Sequence, residues 1–257
     1  MRVVVRALAL ACFFLLPGMG TPPVEGGHTV LITGSNRGIG LEFARQYAAR
    51  GWRVIATCRH PEKAVNLQAI AAANPQVIIE KLDVTDLGAI DALAHKYRDT
   101  AIDVLLNNAG ISGGLNNQRF GHINYATFHD VYAVNVVGPL KMAEAFQTQV
   151  AASDLKKIIT ISSTAGSIAN STGLLYIYRS SKTAVNMAMR NLANELQAKG
   201  IIVGLIAPGP TNADVVKGRV PLGKPEDRVK VMIDVIDRFT LDMSGSFVAY
   251  DGKVLPW

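Results

Sequence analysis

Thr29-Val30-Leu31-Ile32-Thr33-Gly34-Ser35-Asn36-Arg37-Gly38-Ile39-Gly40 is the stretch that decides how this chain folds. Its first five residues are β-branched or aliphatic, the composition of a buried strand. Three glycines follow at G-x3-G-x-G spacing. Residues 39–49 then repeat apolar side chains at helical intervals and stop at Gly51. Strand, glycine turn and helix in succession set the free N–H groups of a helix N-terminus beside backbone without side chains, where a pyrophosphate can approach. Gly34, Ser35, Asn36, Arg37, Gly38, Ile39 and Gly40 are therefore candidate phosphate-binding residues. The spacing differs from the G-x-G-x-x-G of other dinucleotide folds.

Outward from this turn the same alternation repeats. Strands are expected at 53–57, 77–81, 104–106, 157–162, 201–206 and 246–250. Helices are expected at 61–73, 86–97, 127–148, 178–199 and 225–238. Regular strand–helix alternation implies an α/β, doubly wound Rossmann-type parallel sheet covered on both faces. No repeat, low-complexity block or second linker interrupts residues 28–257, so a single domain is expected.

The chain has 257 residues, 49% hydrophobic and 18% charged, enough for a large core and incompatible with wholesale disorder. Its net charge is +6, with no Lys/Arg run longer than two, so no nucleic-acid partner is expected. Two cysteines, Cys12 and Cys58, exclude a disulfide framework, and five singly placed histidines point to no metal site. Residues 1–20 carry Arg2 and Arg6 ahead of an apolar run over 7–16, which reads as a signal peptide or an uncleaved N-terminal anchor. Residues 21–27 read as a linker. Membrane attachment is expected through the leader only.

Charge after the second strand bears on which dinucleotide fits. An NAD site places Asp or Glu on the ribose 2′-hydroxyl; here Cys58-Arg59 stands at that place. Arg59 and Arg37 suit a 2′-phosphate instead, so NADP(H) is expected in preference to NAD(H). Further along, Tyr178 and Lys182 are four apart on one helix face. A phenol, with a pKa near 10, is a poor acid–base group at neutral pH. A neighbouring ammonium at about 4 Å contributes roughly 4 kcal/mol toward the phenolate at an effective dielectric of 20.

These pieces occur in a telling order: Thr33-Gly34-x3-Gly38-Ile39-Gly40, Asp83, Asn107-Asn108-Ala109-Gly110, Asn135, Ser162-Ser163, Tyr178-x3-Lys182 and Pro208-Gly209. Over about residues 28–257 the chain resembles the short-chain dehydrogenase/reductase family. Within it, Gly166-Ser167-Ile168-Ala169, Tyr178-Arg179-x-Ser181-Lys182 and the Ser244–Trp257 region are similar to the C-factor and sniffer-type carbonyl reductases. The resemblance implies a catalytic tetrad. Tyr178 delivers a proton to a substrate carbonyl oxygen, and Ser163 hydrogen-bonds that oxygen. Lys182 lowers the phenol pKa and binds the nicotinamide ribose. Asn135 holds a relay water. It also implies cofactor contacts at Asp83, Val84, Asn108, Ala109, Gly110, Pro208, Gly209 and Thr211, a small-molecule carbonyl or alcohol substrate, and a homodimer or homotetramer. Two departures stand out. Ser163 precedes Tyr178 by 15 residues rather than the commoner 13, and Ala213 occupies the place of the usual threonine after Pro208-Gly209.

Two other functions fit parts of the sequence. Gly110-Ile111-Ser112-Gly113-Gly114 matches the G-x-S-x-G of hydrolases, but no helix start follows it and no histidine lies beyond His129. A non-catalytic NADP(H)-binding scaffold would share the glycine turn but has no use for Tyr178 and Lys182 together.

Overall fold

The computed structural model describes residues 27–114, 118–209 and 223–257. The leader, the linker up to residue 26 and Thr211 lie outside them. Seven strands form one parallel sheet: β1 (Thr29–Thr33), β2 (Arg53–Cys58), β3 (Val77–Lys81), β4 (Val104–Asn107), β5 (Lys157–Ile161), β6 (Ile202–Ala207) and β7 (Phe247–Ala249). Their order is β3-β2-β1-β4-β5-β6-β7. The α/β, doubly wound single-domain expectation is borne out. Strand order reverses between β1 and β4, which opens a crevice at their carboxyl ends.

Period-2 alternation sorts each strand's side chains between two cores. Val30, Ile32, Val54 and Leu106 pack with Phe43, Tyr47, Leu67, Val229 and Ile233. These come from α1 (Gly38–Ala49), α2 (Val65–Ala73) and α7 (Pro225–Arg238). Leu31, Ile55, Leu105 and Leu205 pack on the other face with Ile90, Met142, Phe146, Val185 and Met189. Those belong to α3 (Leu87–Lys96), α5 (Gly138–Ala151) and α6 (Tyr176–Leu196). Both faces being covered, the strands carry almost unbroken apolar runs.

The long helix expected over 127–148 is three segments: α4 (Ala126–Tyr132), a π-helical turn (Ala133–Val137) and α5. Pro139 explains the widened turn. It has no N–H to give the carbonyl four residues back, on Asn135, and its ring crowds that carbonyl. The helix expected from Pro61 is also interrupted. A 3₁₀ turn, Pro61–Lys63, ends at Ala64, which is buried in the core, and α2 starts afresh at Val65.

The outer edge of β7 is covered by the chain's own last residues. Val248 and Val254 form an antiparallel bridge, and Leu255 N donates to Phe247 O at 2.8 Å. The Trp257 ring stacks 5.6 Å from Phe247, and Trp257 O accepts from Ala169 N at 2.8 Å, which ties the C-terminal segment to the loop after β5. Among the described residues no helix is long and apolar enough to cross a membrane.

At the amino ends of the strands Asp103 is a buried staple. Its carboxylate accepts from Thr29 N at 2.8 Å, Leu155 N at 3.4 Å and His28 Nδ1 at 3.1 Å, so it gathers the starts of β1, β4 and β5. Asp154 lies beside this group, but the cluster stands at the opposite edge from the glycine turn. Replacing Asp103 by Ala strands the Thr29 N–H and is expected to cost about 1–3 kcal/mol, lowering Tm by roughly 2–12 °C in a thermal melt. An unchanged Tm contradicts the staple.

Candidate active site

The glycine turn is held from two sides. Asn108 Nδ2 donates to Thr33 O at 2.9 Å and Gly34 O at 3.2 Å. In return the Thr33 hydroxyl accepts from Asn108 N and Ala109 N, each at 3.0 Å. Gly34 has φ +70°, and a Cβ there would lie 2.9 Å from Ala109 Cα; one on Gly40 would lie 2.3 Å from Gly34 O. Neither glycine can carry a side chain without moving backbone. Ser35 is fully buried, donates its hydroxyl to Ile32 O and supports the turn from below. Arg37 stands at the N-terminus of α1 with no side-chain cap, so the helix's first turn is open to an anion. Bare backbone, tight turn and an uncapped helix start all fit a dinucleotide pyrophosphate.

The end of β2 brings Cys58 and Arg59 near this turn. Ser35 N donates to Thr57 O at 2.9 Å. Cys58 is buried, and burial pushes its thiol pKa up, so it is an uncharged thiol at neutral pH. Arg59, Arg37 and Asn36 are exposed. Asp83, after β3, accepts from Thr85 N at 3.0 Å and Thr85 Oγ1 at 2.8 Å in a local turn. Val84 is buried, and Gly138 makes room for it: a Cβ on Gly138 would lie 3.0 Å from Val84 O.

Beyond the turn, further candidate residues stand on the elements at this end of the sheet. The π-helical turn places buried Asn135 against the segment leaving β4. Its Oδ1 accepts from Ile111 N at 2.9 Å, while Nδ2 donates to Ile111 O at 2.9 Å and Ser181 Oγ at 3.0 Å. Lys182 is buried on α6 and donates from Nζ to Ile161 O, the last carbonyl of β5, at 2.9 Å. Its Nζ lies 5.9 Å from the centroid of the Tyr178 ring. A Cβ on Gly110 would sit 3.4 Å from Asn135 Oδ1 and 3.6 Å from Lys182 Nζ. Gly110, Asn135 and Lys182 thus bound one space at the carboxyl edge of the sheet. Ser163 follows β5, and its hydroxyl accepts from Ala165 N at 3.1 Å, opening a 3₁₀ turn (Thr164–Gly166). Pro208 and Gly209 close the same edge after β6.

Asn186, which the sequence motifs do not include, and Ser162, Gly166 and Ser181, which appear there with no role assigned, support this group. Ser181, fully buried, receives Asn135 and donates to Tyr178 O at 2.8 Å. Ser162 donates to Asn186 Oδ1, and Asn186 Nδ2 donates to Gly166 O at 3.3 Å. Gly166 packs directly on α6, where a Cβ would lie 3.0 Å from Lys182 O. The sequence signal was available: Ser181, Lys182 and Asn186 fall on the same helical stripe as Ile177, Val185 and Met189, and polar groups on a buried stripe need partners. Ser112, the rival nucleophile, lies in an irregular segment that leads into no helix among the described residues before α4.

The family model for short chain dehydrogenases matches residues 28–221. C-signal from Myxococcus xanthus is 35% identical over 157 residues, covering 61% of this chain and 93% of that protein. The NADPH-bound carbonyl reductase from chicken fatty liver superposes with a TM-score of 0.82 at 31% identity, covering 90% of this chain and 99% of that one. The carbonyl reductase Sniffer of D. melanogaster gives a TM-score of 0.82 at 28% identity, covering 90% and 100%. With this fold, this turn and these relatives, the chain is an oxidoreductase and belongs to the short-chain dehydrogenase/reductase family.

Proposed function

We propose that the protein interconverts a small carbonyl compound and its alcohol with NADP(H), Tyr178 serving as the acid–base group. The observation that carries this reading is the buried Lys182 ammonium, 2.9 Å from Ile161 O and 5.9 Å from the Tyr178 ring. A buried cation is costly unless it is paired or put to use. Beside a phenol it stabilises the phenolate. The nicotinamide cofactor, when bound, supplies or accepts the hydride. Tyr178 gives its hydroxyl proton to the substrate carbonyl oxygen, or takes it back from the alcohol. The Ser163 hydroxyl hydrogen-bonds the same oxygen. Lys182 favours loss of the phenol proton and reaches toward the ribose. Asn135 fixes the Ile111 segment beside α6 and bounds the space in which a relay water to Lys182 sits. The cofactor would lie along Gly34–Gly40, Asn108–Gly110 and Pro208-Gly209, with Asp83 and Val84 flanking it.

NADP(H) is favoured over NAD(H) because the end of β2 offers a buried neutral thiol and an exposed guanidinium in place of a carboxylate. The NADP-bound relatives support the same choice. NADPH is expected to bind roughly ten- to hundredfold more tightly than NADH, the worth of a charge-assisted phosphate contact. Arg59→Asp should reverse that order in a fluorescence titration. Equal affinities in the unaltered protein contradict the assignment.

Exposed Val137 and Leu140 at the start of α5 and Met187 on α6 leave apolar surface uncovered, which supports pairing of two copies through these helices. Light scattering should give a dimer or tetramer at micromolar concentration; a single-subunit mass rejects this.

Turnover itself is tested by NADPH oxidation across quinones, diketones, aldehydes and keto-steroids. Tyr178→Phe should lower kcat by 10²–10⁴-fold, the usual loss of an acid–base group, with NADPH binding barely changed. Lys182→Ala should lose turnover and cofactor affinity together. Lys182→Arg should not restore either, because a planar fork does not replace a compact ammonium. A Tyr178→Phe protein that keeps more than about a tenth of the activity removes Tyr178 from the scheme. Tight NADPH binding without turnover on any carbonyl favours a scaffold.

A further inference from the structure

We infer that Gln118 is a positioning residue, whose buried side chain fixes where the Tyr178 phenol stands; the inference rests on the acid–base role proposed for Tyr178. The start of α6 is poorly built for a helix that must place a reacting group. Gly173, Leu174 and Leu175 precede it with φ of +76°, +60° and +53°, so two residues bearing a Cβ occupy the left-handed region in succession. Leu175 stands at the N-cap, where an extended Ser, Thr, Asp or Asn is favoured, and it caps nothing with its side chain. The first intrahelical bond is Arg179 N to Leu175 O at 2.8 Å. The N–H groups of Tyr176, Ile177 and Tyr178 therefore have no acceptor within the helix.

One of those three is met from 60 residues away. Tyr178 N donates to Gln118 Oε1 at 2.8 Å. The amide's other end donates from Nε2 to Ser112 O at 2.6 Å and Gly114 O at 2.7 Å. The orientation is unambiguous, because the flipped amide would set its oxygen against two carbonyls and its NH₂ against an N–H. Gln118 has no exposed surface. A fully buried glutamine with both ends engaged is a rigid strut. It joins the segment leaving β4 to the residue that bears the phenol.

This strut works beside a second one. Asn135 bonds both backbone groups of Ile111 and reaches Ser181. Gln118 takes the carbonyls of Ser112 and Gly114 and reaches Tyr178. Two buried amides thus brace residues 111–114 against α6, one at Tyr178 and the other at Ser181. Just past the strut, Phe120 packs its ring on Tyr176, centroids 6.2 Å apart, at the same helix start. Without Gln118 the first turn of α6 would rest on a strained, uncapped entry. Displacements of about 1 Å in a reacting group cost up to 10²-fold in rate.

The test compares Gln118→Met, which keeps the length and removes every hydrogen bond, with Gln118→Glu. When protonated, the glutamate accepts from Tyr178 N and donates to one carbonyl; when ionised, it sets a charge against both carbonyls. The unaltered enzyme and Tyr178→Phe are run alongside, on the best carbonyl substrate, with folding followed by circular dichroism and NADPH binding by fluorescence. Gln118→Met is expected to lose tenfold to hundredfold in kcat while KM and the NADPH Kd stay within about threefold. Gln118→Glu is expected to be weak at pH 8 and to recover at least fivefold, relative to the unaltered enzyme, at pH 5.5. A residue that only stabilises the fold would lower Tm and cofactor binding together and leave kcat per folded molecule unchanged. A kcat for Gln118→Met within twofold of the unaltered enzyme overturns the inference. If Gln118→Met does not fold, the pH profile of Gln118→Glu decides, and a profile parallel to the unaltered enzyme overturns it. Failure of the underlying reading is separately visible, as a Tyr178→Phe protein that keeps more than about a tenth of the activity.

Discussion

The Lys182 ammonium is buried between the last carbonyl of β5 and the ring of Tyr178, and the rest of the site is arranged around holding it there. A cation taken out of water loses far more than a neutral group does and must be met by fixed dipoles. The Ile161 carbonyl is free to meet it because a parallel strand ends there. α6 must also approach that strand end closely. Gly166 permits this, since any side chain at that position would meet the backbone of Lys182. Asn186 then ties the Gly166 carbonyl to Ser162 on the same strand exit. A turn that looks like a plain connection between Ser163 and α6 is thus shaped by the lysine behind it.

The same logic runs through the sheet. Reversal of strand order between β1 and β4 leaves their carboxyl ends without a crossing connection. Asn108 and Thr33 exchange hydrogen bonds across that gap and hold the glycine turn open for phosphate. The proposed cofactor site and the proposed reacting pair therefore share one edge, while the Asp103 staple closes the other. The proposed reaction thus sits at the carboxyl edge, while at the amino edge Asp103 meets the backbone N–H groups of Thr29 and Leu155.

Much of this was legible in the sequence. Glycines after a β-branched run announce the turn, and Tyr178-x3-Lys182 announces the pair because helical spacing needs no tertiary knowledge. The widened turn at Asn135 was missed, although Pro139 sits four residues beyond it and removes the hydrogen bond that a regular helix requires. The start of α6 was placed two residues late because Leu175 is a left-handed entry with neither glycine nor a capping side chain to signal it. Gln118 could not be read at all. A glutamine in a polar segment looks solvated, and only the fold brings it to Tyr178 across 60 residues. The break at Ala64 belongs to the same class, set by burial against the core and not by local preference.

The proposed chemistry depends on one electrostatic effect, the tuning of the Tyr178 phenol by Lys182. The most direct measurement is the pH dependence of kcat/KM for alcohol oxidation in the unaltered enzyme and in Lys182→Met, over the pH range in which both stay folded. Activity should rise with pH as the phenol ionises. In the unaltered enzyme the midpoint should lie well below about 10, the ordinary phenol value. Removing the cation should move that midpoint upward, because the phenolate loses its stabilising neighbour. A midpoint that stays in place when the ammonium is gone would contradict the claim and assign the titration to another group.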